Sequence, residues 1–452
     1  MSFVSPTFAV FFVVALALYL VLRHRWQNLL LLVTGAIFYG WEHPEWVLLL
    51  YLSAGIDYFA AIGMERYPEH RRPLLAVSVT ANLSLLGWFK YANFGSSNLR
   101  ALGFDTPELD VVLPAGISFY TFQSMSYTID VYRGQLRACR SFTDYFAFIS
   151  FFPQLVAGPI ERAHDLLTQI QSPRTVTLEA IGNGLVTAAW GVALKAVIAD
   201  NVALYVDRLF GLPRMSLPML AAGASAFSVQ ILADFSGYTT IALGVATCFG
   251  FKLSRNFLHP FLAANPTEHW TRWHVTFSGW IRDYLYVPLG GSRGSKLRVA
   301  GVTLLTMGLS GLWHGASWNF VLWGLYHGFL VVLYRPLWPW LSRLPRWVTV
   351  PIFYVLLNLS WFLFRQHDLG RLAYTLQHPA ATREEWVVAA VVAGVGLAGG
   401  AVLVAAMLVE LYVVPRLGRW KPAFGAGLVS LVVCLLLYWS RAGADGFIYF
   451  RF

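Results

Sequence analysis

The sequence predicts an all-α protein that crosses a membrane many times. Three observations predict it. Of 452 residues, 57% are apolar and only 12% charged, where soluble domains carry roughly 25% charge. Raising the aromatic share to 16% leaves too little polar surface to keep a folded body in water. Apolar runs approaching the roughly 20 residues needed to cross a bilayer recur along the chain. The short loops between the first runs alternate in charge, as membrane orientation requires.

The expected spans, in order, are Phe8–Leu22, Asn28–Gly40, Trp46–Met64, Leu74–Phe94, Leu113–Ile129, Ala180–Ala199, Leu217–Phe235, Ser236–Phe251, Val299–Trp313, Ser317–Leu333, Thr349–Phe364, Trp386–Val414 and Phe424–Trp439. Several are short, so roughly eleven crossings plus re-entrant or interfacial helices are expected. Arg23 and Arg25 follow the first span, Glu42 and Glu45 the second, Arg66, Arg71 and Arg72 the third. Asp105, Glu108 and Asp110 follow the fourth, and Arg133, Arg137 and Arg140 the fifth. This alternation puts the N-terminus outside and the basic loops in the cytoplasm. The first span is expected to be retained, because Met1–Thr7 holds no basic residue and the arginines come after the apolar run, the reverse of a secretory signal.

The formal charge of +10 lies in these short loops and reads as topology, so nucleic acid is not an expected partner. Cys139, Cys248 and Cys434 are far apart and form no CxxC, which points to small buried hydrophobes. One helical body is expected: N-terminal spans over 1–112, a catalytic core over 113–330 and C-terminal spans over 331–452.

Two stretches interrupt the spans. Tyr145–Gln171 mixes apolar residues with Pro153, Gly158, Pro159 and charge. Lys252–Arg298 is rich in Trp, Arg and His and has no lipid-compatible run. Irregular backbone at membrane depth survives only where protein or a wet cavity surrounds it, so a site is expected in such segments.

His314, in GLSGLWHGASW (Gly308–Trp318), joins two apolar spans. Ionisable groups inside a membrane are functional suspects, and burial favours the neutral imidazole that a general base must present. A histidine hydrogen-bonded between helices is the alternative. His274 lies in EHWTRWHVTFSGWIRDYLYVPLGGSR (Glu268–Arg293), where Arg272, Arg282 and Arg293 alternate with Trp270, Trp273, Trp280, Tyr284 and Tyr286. That mixture suits a membrane interface, and arginine forks also suit a phosphate-bearing thioester. Asp234 opens DFSGY (Asp234–Tyr238) between apolar stretches and needs a partner, for which Lys195 is suitably placed; structural pairing and catalysis both remain open. Asp57, His327 and Glu410 read as helix-packing contacts. The Gly394-Val-Gly396-Leu-Ala-Gly399 run resembles a dinucleotide fingerprint but has no preceding strand, so it reads as small-residue helix packing. No serine-hydrolase elbow, Walker loop or HExxH is present, and no metal site is expected.

Longer runs carry a resemblance: LPAGISFYTFQSMSYTIDVYRG (Leu113–Gly134), FFPQLVAGPIER (Phe151–Arg162), DFSGYTTIALG (Asp234–Gly244), NFLHPF (Asn256–Phe261), RWHVTFSGWIRDYLYVPLGG (Arg272–Gly291), GLWHGASWNFVLWGLYHG (Gly311–Gly328) and FIYFRF (Phe447–Phe452). With these the chain resembles the membrane-bound O-acyltransferase (MBOAT) family, and within it the bacterial alginate-type branch, over nearly its whole length. The resemblance implies a helical bundle around a central funnel or tunnel, with the near-invariant histidine at His314 and the second polar position at His274. It implies donor-binding or site-shaping roles for Arg272, Trp273, Trp280, Arg282, Asp283, Trp313, Asp234 and Tyr238. Thr271 stands where the family commonly has arginine, and Thr240 where it commonly has an acid, so roles at those positions do not carry over.

The expected activity is O-acyl transfer, acetyl in particular, from a cytoplasmic thioester such as acetyl-CoA or an acyl carrier, with no permanently bound cofactor. The resemblance further implies a bacterial inner-membrane location, an exported polysaccharide such as alginate as destination, and an extracytoplasmic SGNH-type acetyltransferase as partner. D-alanyl transfer to teichoic acid and peptidoglycan O-acetylation are the nearest alternatives. A transporter or flippase fits the composition equally but leaves the long Trp/Arg/His insert unexplained.

Overall fold

Helices form wherever apolar runs meet capping chemistry, and among the described residues there is no β-strand. The computed structural model describes residues 1–439 apart from 157, 367, 419 and 420; the FIYFRF run lies outside the described residues. In order the helices are α1 (Pro6–Val21), α2 (His24–Tyr39), α3 (Glu45–Arg66), α4 (Arg71–Leu86), α5 (Ala92–Ala101), α6 (Ile117–Tyr132), α7 (Phe142–Ile149), α8 (Ala163–Gln171), α9 (Leu178–Val192), α10 (Asp200–Phe210), α11 (Leu217–Cys248), α12 (Pro266–Trp270), α13 (Val275–Ile281), α14 (Lys296–His314), α15 (Trp318–Leu341), α16 (Arg346–Arg365), α17 (Leu369–Gln377), α18 (Arg383–Leu408) and α19 (Lys421–Trp439). Local signals set their starts. Ser5 Oγ accepts from the Phe8 amide ahead of α1, whose first residue is proline, and Ser295 Oγ accepts from the Arg298 amide ahead of α14. Thr382 and Glu385 close a reciprocal capping box at α18.

Among the described residues, six helical stretches are long and apolar enough to cross a membrane: Glu45–Arg66, Leu178–Phe210, Leu217–Cys248, Trp318–Leu341, Arg346–Arg365 and Arg383–Arg416. Shorter apolar helices are Pro6–Val21 and Lys421–Val432. Their outward residues are apolar, as at Val10, Val13 and Val21 of α1 and Leu397 and Val402 of α18, the pattern of a lipid-facing surface. Two expected spans, Leu217–Phe235 and Ser236–Phe251, are one continuous 32-residue helix. The polar DFSGY stretch within it continues the helical hydrogen bonding instead of breaking it. Four other expected spans form helices of 16, 16, 16 and 19 residues, α2, α4, α6 and α14.

The chain divides into two compact units, residues 1–188 with 239–254, and residues 189–238 with 255–452. In the first, α6 starts at Gly116, whose φ of 75° suits glycine, and is buried on nearly every side. Its polar residues are satisfied inside: Ser124, with Ser78 and Asn82 of α4, donates to Asp57, which is fully buried on α3. Asp57 is therefore a packing contact as expected. Glu161 is buried in the loop after α7, where the Ser254 amide (2.6 Å) and hydroxyl (3.2 Å) both donate to its carboxylate.

In the second unit α14 and α15 form an antiparallel hairpin joined by Gly315–Ser317. A Cβ on Gly311 would collide with the Phe320 carbonyl, and one on Gly324 with the Met307 carbonyl. The two backbones thus touch where those glycines stand. Glycines also bring α18 against α11, since a Cβ on Gly396 would stand 2.9 Å from Ala226 Cα. The fingerprint-like run is helix packing.

Candidate functional site

The second unit gathers the histidines. Its Trp/Arg/His insert is held by backbone pairing: the Leu258 amide donates to the Arg272 carbonyl (2.8 Å) and the Val275 amide to the Asn256 carbonyl (2.9 Å). Asn265 caps α12 by accepting from the Glu268 amide (2.8 Å). The Glu268 carboxylate in turn accepts from Arg272 Nε (2.9 Å) and from Arg346. Between α12 and α13 the chain turns at His274, whose backbone is left-handed (φ 42°, ψ 54°). That conformation is uncommon outside glycine and tolerated best by Asn, Asp and His.

The turn drives the His274 ring inward to complete burial. Its Nδ1 lies 3.3 Å from Asn256 Oδ1, which also accepts from the Thr276 hydroxyl (2.6 Å). An amide oxygen only accepts, so Nδ1 carries the hydrogen and Nε2 the lone pair. Burial pushes the His274 pKa down to about 3, which keeps the ring neutral.

His314 is the last residue of α14 and is 3% exposed. Ring centroids of Trp313, Trp323, Phe277 and Phe364 lie 5.0, 5.1, 5.5 and 5.6 Å from its own. Phe277 stacks on Trp313 at 4.2 Å and stands 5.0 Å from His274. The two histidines therefore share one aromatic pair: Phe277 of α13 and Trp313 of α14 contact both rings. Phe235 of α11 also lies edge-on to His274, at 4.8 Å. A neutral imidazole enclosed by aromatic rings has the properties of a general base shielded from bulk water.

The other expected site residues divide. Trp273 is buried against Trp361 (5.5 Å) and Phe257 (5.1 Å), and Trp280 is buried beside Tyr284 (5.0 Å). Asp234 forms an ion pair with Lys195 (2.6 Å), which also binds Asp200 (2.7 Å) and lies 5.7 Å from the Tyr238 ring. The expected Lys195 partner is thus present, and it ties α11 to the turn ahead of α10. Arg272 is tied to Glu268 and to the Leu258 carbonyl, so its fork is spent on the insert's own architecture. Arg282 and Asp283 pair with each other at the surface (2.7 Å). Glu410 pairs with Arg255 (2.6 Å). Among the described residues no three His, Cys, Asp or Glu side chains stand together as a metal site would need.

One grouping was not foreseen. His327, fully buried on α15, stacks nearly parallel to His269 of α12 (6.0 Å, 10°) and lies 4.7 Å from Trp323 and 5.2 Å from Trp270. Both ring nitrogens of His327, Nδ1 of His269, and the indole N–H groups of Trp270, Trp323 and Trp361 have no hydrogen-bond partner among the described residues. A buried polar group in that state costs about 1–3 kcal/mol. The signal was in the sequence: Trp323 and His327 are four apart on one helix face.

The MBOAT, membrane-bound O-acyltransferase, family profile matches residues 135–366, which include both units' irregular segments and the His274–His314 pair. A protein of Pseudomonas aeruginosa named "probable alginate O-acetylase" is 38% identical over 82% of this chain and 73% of its own length. The peptidoglycan O-acetyltransferase of Helicobacter pylori is 33% identical over 76% of this chain and 71% of its own. The teichoic acid D-alanyltransferase of Bacillus subtilis is 29% identical over 54% of this chain and 66% of its own. The multi-pass helical build, the buried histidines and the extent of these matches converge on one assignment: the chain is an acyltransferase and belongs to the membrane-bound O-acyltransferase family.

Proposed function

We propose that the protein takes an acetyl group from a cytoplasmic thioester, acetyl-CoA, and delivers it across the bacterial inner membrane for O-acetylation of an exported polysaccharide, alginate or a similar polymer. The observation that carries this reading is the pairing of His314 and His274 about one aromatic pair. In the proposed step His314 takes the proton of the acceptor hydroxyl as its oxygen attacks the thioester carbonyl. The C–S bond then breaks, and the leaving thiolate recovers the proton as a thiol. His274, held by Asn256, orients the donor or steadies the oxyanion. The enclosing rings keep water from the activated acyl group.

Acetyl transfer is preferred to D-alanyl transfer because the acetyl-transferring relatives match at higher identity over more of the chain. The loops between helices are short, so the polymer is not held by this chain; an SGNH-type acetyltransferase outside the membrane is the proposed recipient. Loop charges favour an extracytoplasmic N-terminus, and roughly eleven crossings around a funnel remain our reading of the bundle.

The test is turnover of labelled acetyl-CoA by purified protein. His314→Ala should reduce it by about 10²–10⁴-fold at unchanged protein level and melting temperature. Near-normal turnover would remove His314 from the chemistry.

A further inference from the structure

The His269–His327 grouping belongs to no step just described, yet it adjoins the reacting histidine. Trp323 lies against both His314 and His327, with ring centroids 5.1 and 4.7 Å away. The Trp270 ring closes on both His327 (5.2 Å) and Trp323 (5.9 Å). If these rings served only to fill space, phenylalanine would do so without burying nitrogen. Here four of the rings, His269 and Trp270 of α12 and Trp323 and His327 of α15, bury polar atoms that no described residue satisfies.

The chemistry of those atoms limits what satisfies them. Neutral imidazole offers one N–H and one lone pair, and each indole offers only an N–H. A thioester carbonyl accepts and cannot donate, so it meets the indoles and leaves the imidazole lone pair unmet. A phosphate or carboxylate has the same defect and adds a charge with no cation in the grouping. A hydroxyl does both: it donates to an imidazole nitrogen and accepts from an indole N–H.

We infer that His327, backed by His269 and Trp270, forms a binding site for the hydroxyl-bearing acceptor beside Trp323, the ring that also adjoins His314. The site rests on the acyl-transfer reading and deepens it, by separating where the alcohol binds from where the donor binds. Alcohol and water share this chemistry, and the experiment below tells them apart.

Purified full-length protein is given labelled acetyl-CoA with glycerol as the acceptor probe, and both acetyl-glycerol and free acetate are measured. His327→Phe keeps a flat ring and removes both nitrogens; Trp270→Phe removes only the indole N–H. Each should raise the apparent KM for glycerol by about tenfold, the loss of one ordinary hydrogen bond, with the KM for acetyl-CoA within about twofold of wild type. Trp270→Phe carries the measurement if His327→Phe does not fold. A raised acetyl-CoA KM with an unchanged glycerol KM overturns the acceptor site. So does a fall in acetate release alone, which assigns the nitrogens to water. Wild-type protein that releases acetate but never acetylates glycerol also removes the acceptor site and leaves acyl transfer standing. Wild-type protein that leaves acetyl-CoA untouched overturns the acyltransferase chemistry itself, whatever the variants do.

Discussion

At the scale of single residues, position and backbone together set where the two histidines stand. His274 stands at a left-handed backbone, and this makes a prediction separable from catalysis. His274→Asn should fold with a melting temperature near wild type, because asparagine tolerates that backbone, whereas His274→Val should lose about 1–2 kcal/mol more, since a β-branched side chain is a steric outlier there. Both should lose acetyl-CoA turnover; thermal denaturation beside the turnover assay distinguishes the two effects. His314 stands out in the sequence as an ionisable residue between two apolar spans, and His274 by its place in the Trp/Arg/His insert; the structure buries both rings. Arg272 shows the limit of such reading. A row of arginines and tryptophans looks alike whether its forks face a ligand or, as here, a neighbouring glutamate and a backbone carbonyl. Asn256 and Phe277 escaped notice because neither residue type is unusual in a buried segment, and only the fold places them on the histidines. His327 reads as packing from the sequence, and only the fold shows His269 arriving beside it from another helix.

At the scale of elements, helix boundaries were well marked by apolar runs and caps, while continuity across polar stretches was not. DFSGY suggested a break, yet Asp234 finds Lys195 and α11 runs through. Once its carboxylate is paired, nothing in that stretch opposes helix. The α14–α15 hairpin shows the reverse dependence, where absence of a side chain sets the geometry. Gly311→Val should push the helices apart at the Phe320 carbonyl, costing several kcal/mol and displacing His314 at the hairpin's end. Gly301 of the same helix has nothing within 4 Å of its would-be Cβ, so Gly301→Ala should be neutral or stabilise by about 0.5–1 kcal/mol. Denaturation midpoints of the two variants check this contrast.

At the scale of the whole molecule, composition alone announced a membrane protein, and the exposed apolar side chains agree. The division of the chain into two units was not visible, because it depends on contacts between segments distant in sequence. Glu161 provides a pH test of the first unit. Burial raises its pKa from the usual 4.5 to about 7, against the lowering effect of the Ser254 donors. The folded state therefore holds a proton that the unfolded chain has released, and stability falls as pH rises from about 4.5 to 7. Glu161→Gln, which mimics the protonated acid, should remove this slope, so the gap in melting temperature between variant and wild type should widen in the variant's favour over that interval. A gap that stays constant with pH would mean the carboxyl is ionised throughout.

The pairing of Glu161 with Ser254, and the packing of Gly184 on Gly244, where an added Cβ would stand 2.6 Å from the Gly244 carbonyl oxygen, join the two separate stretches of the first unit. The intervening fifty residues, 189–238, belong elsewhere. On the ribosome, the opening 188 residues therefore emerge lacking a component of their own core. They must wait for the start of the second unit to be translated before the segment that completes them arrives. Assembly of this enzyme is thereby sequenced by its gene: neither half can be finished before the other has begun.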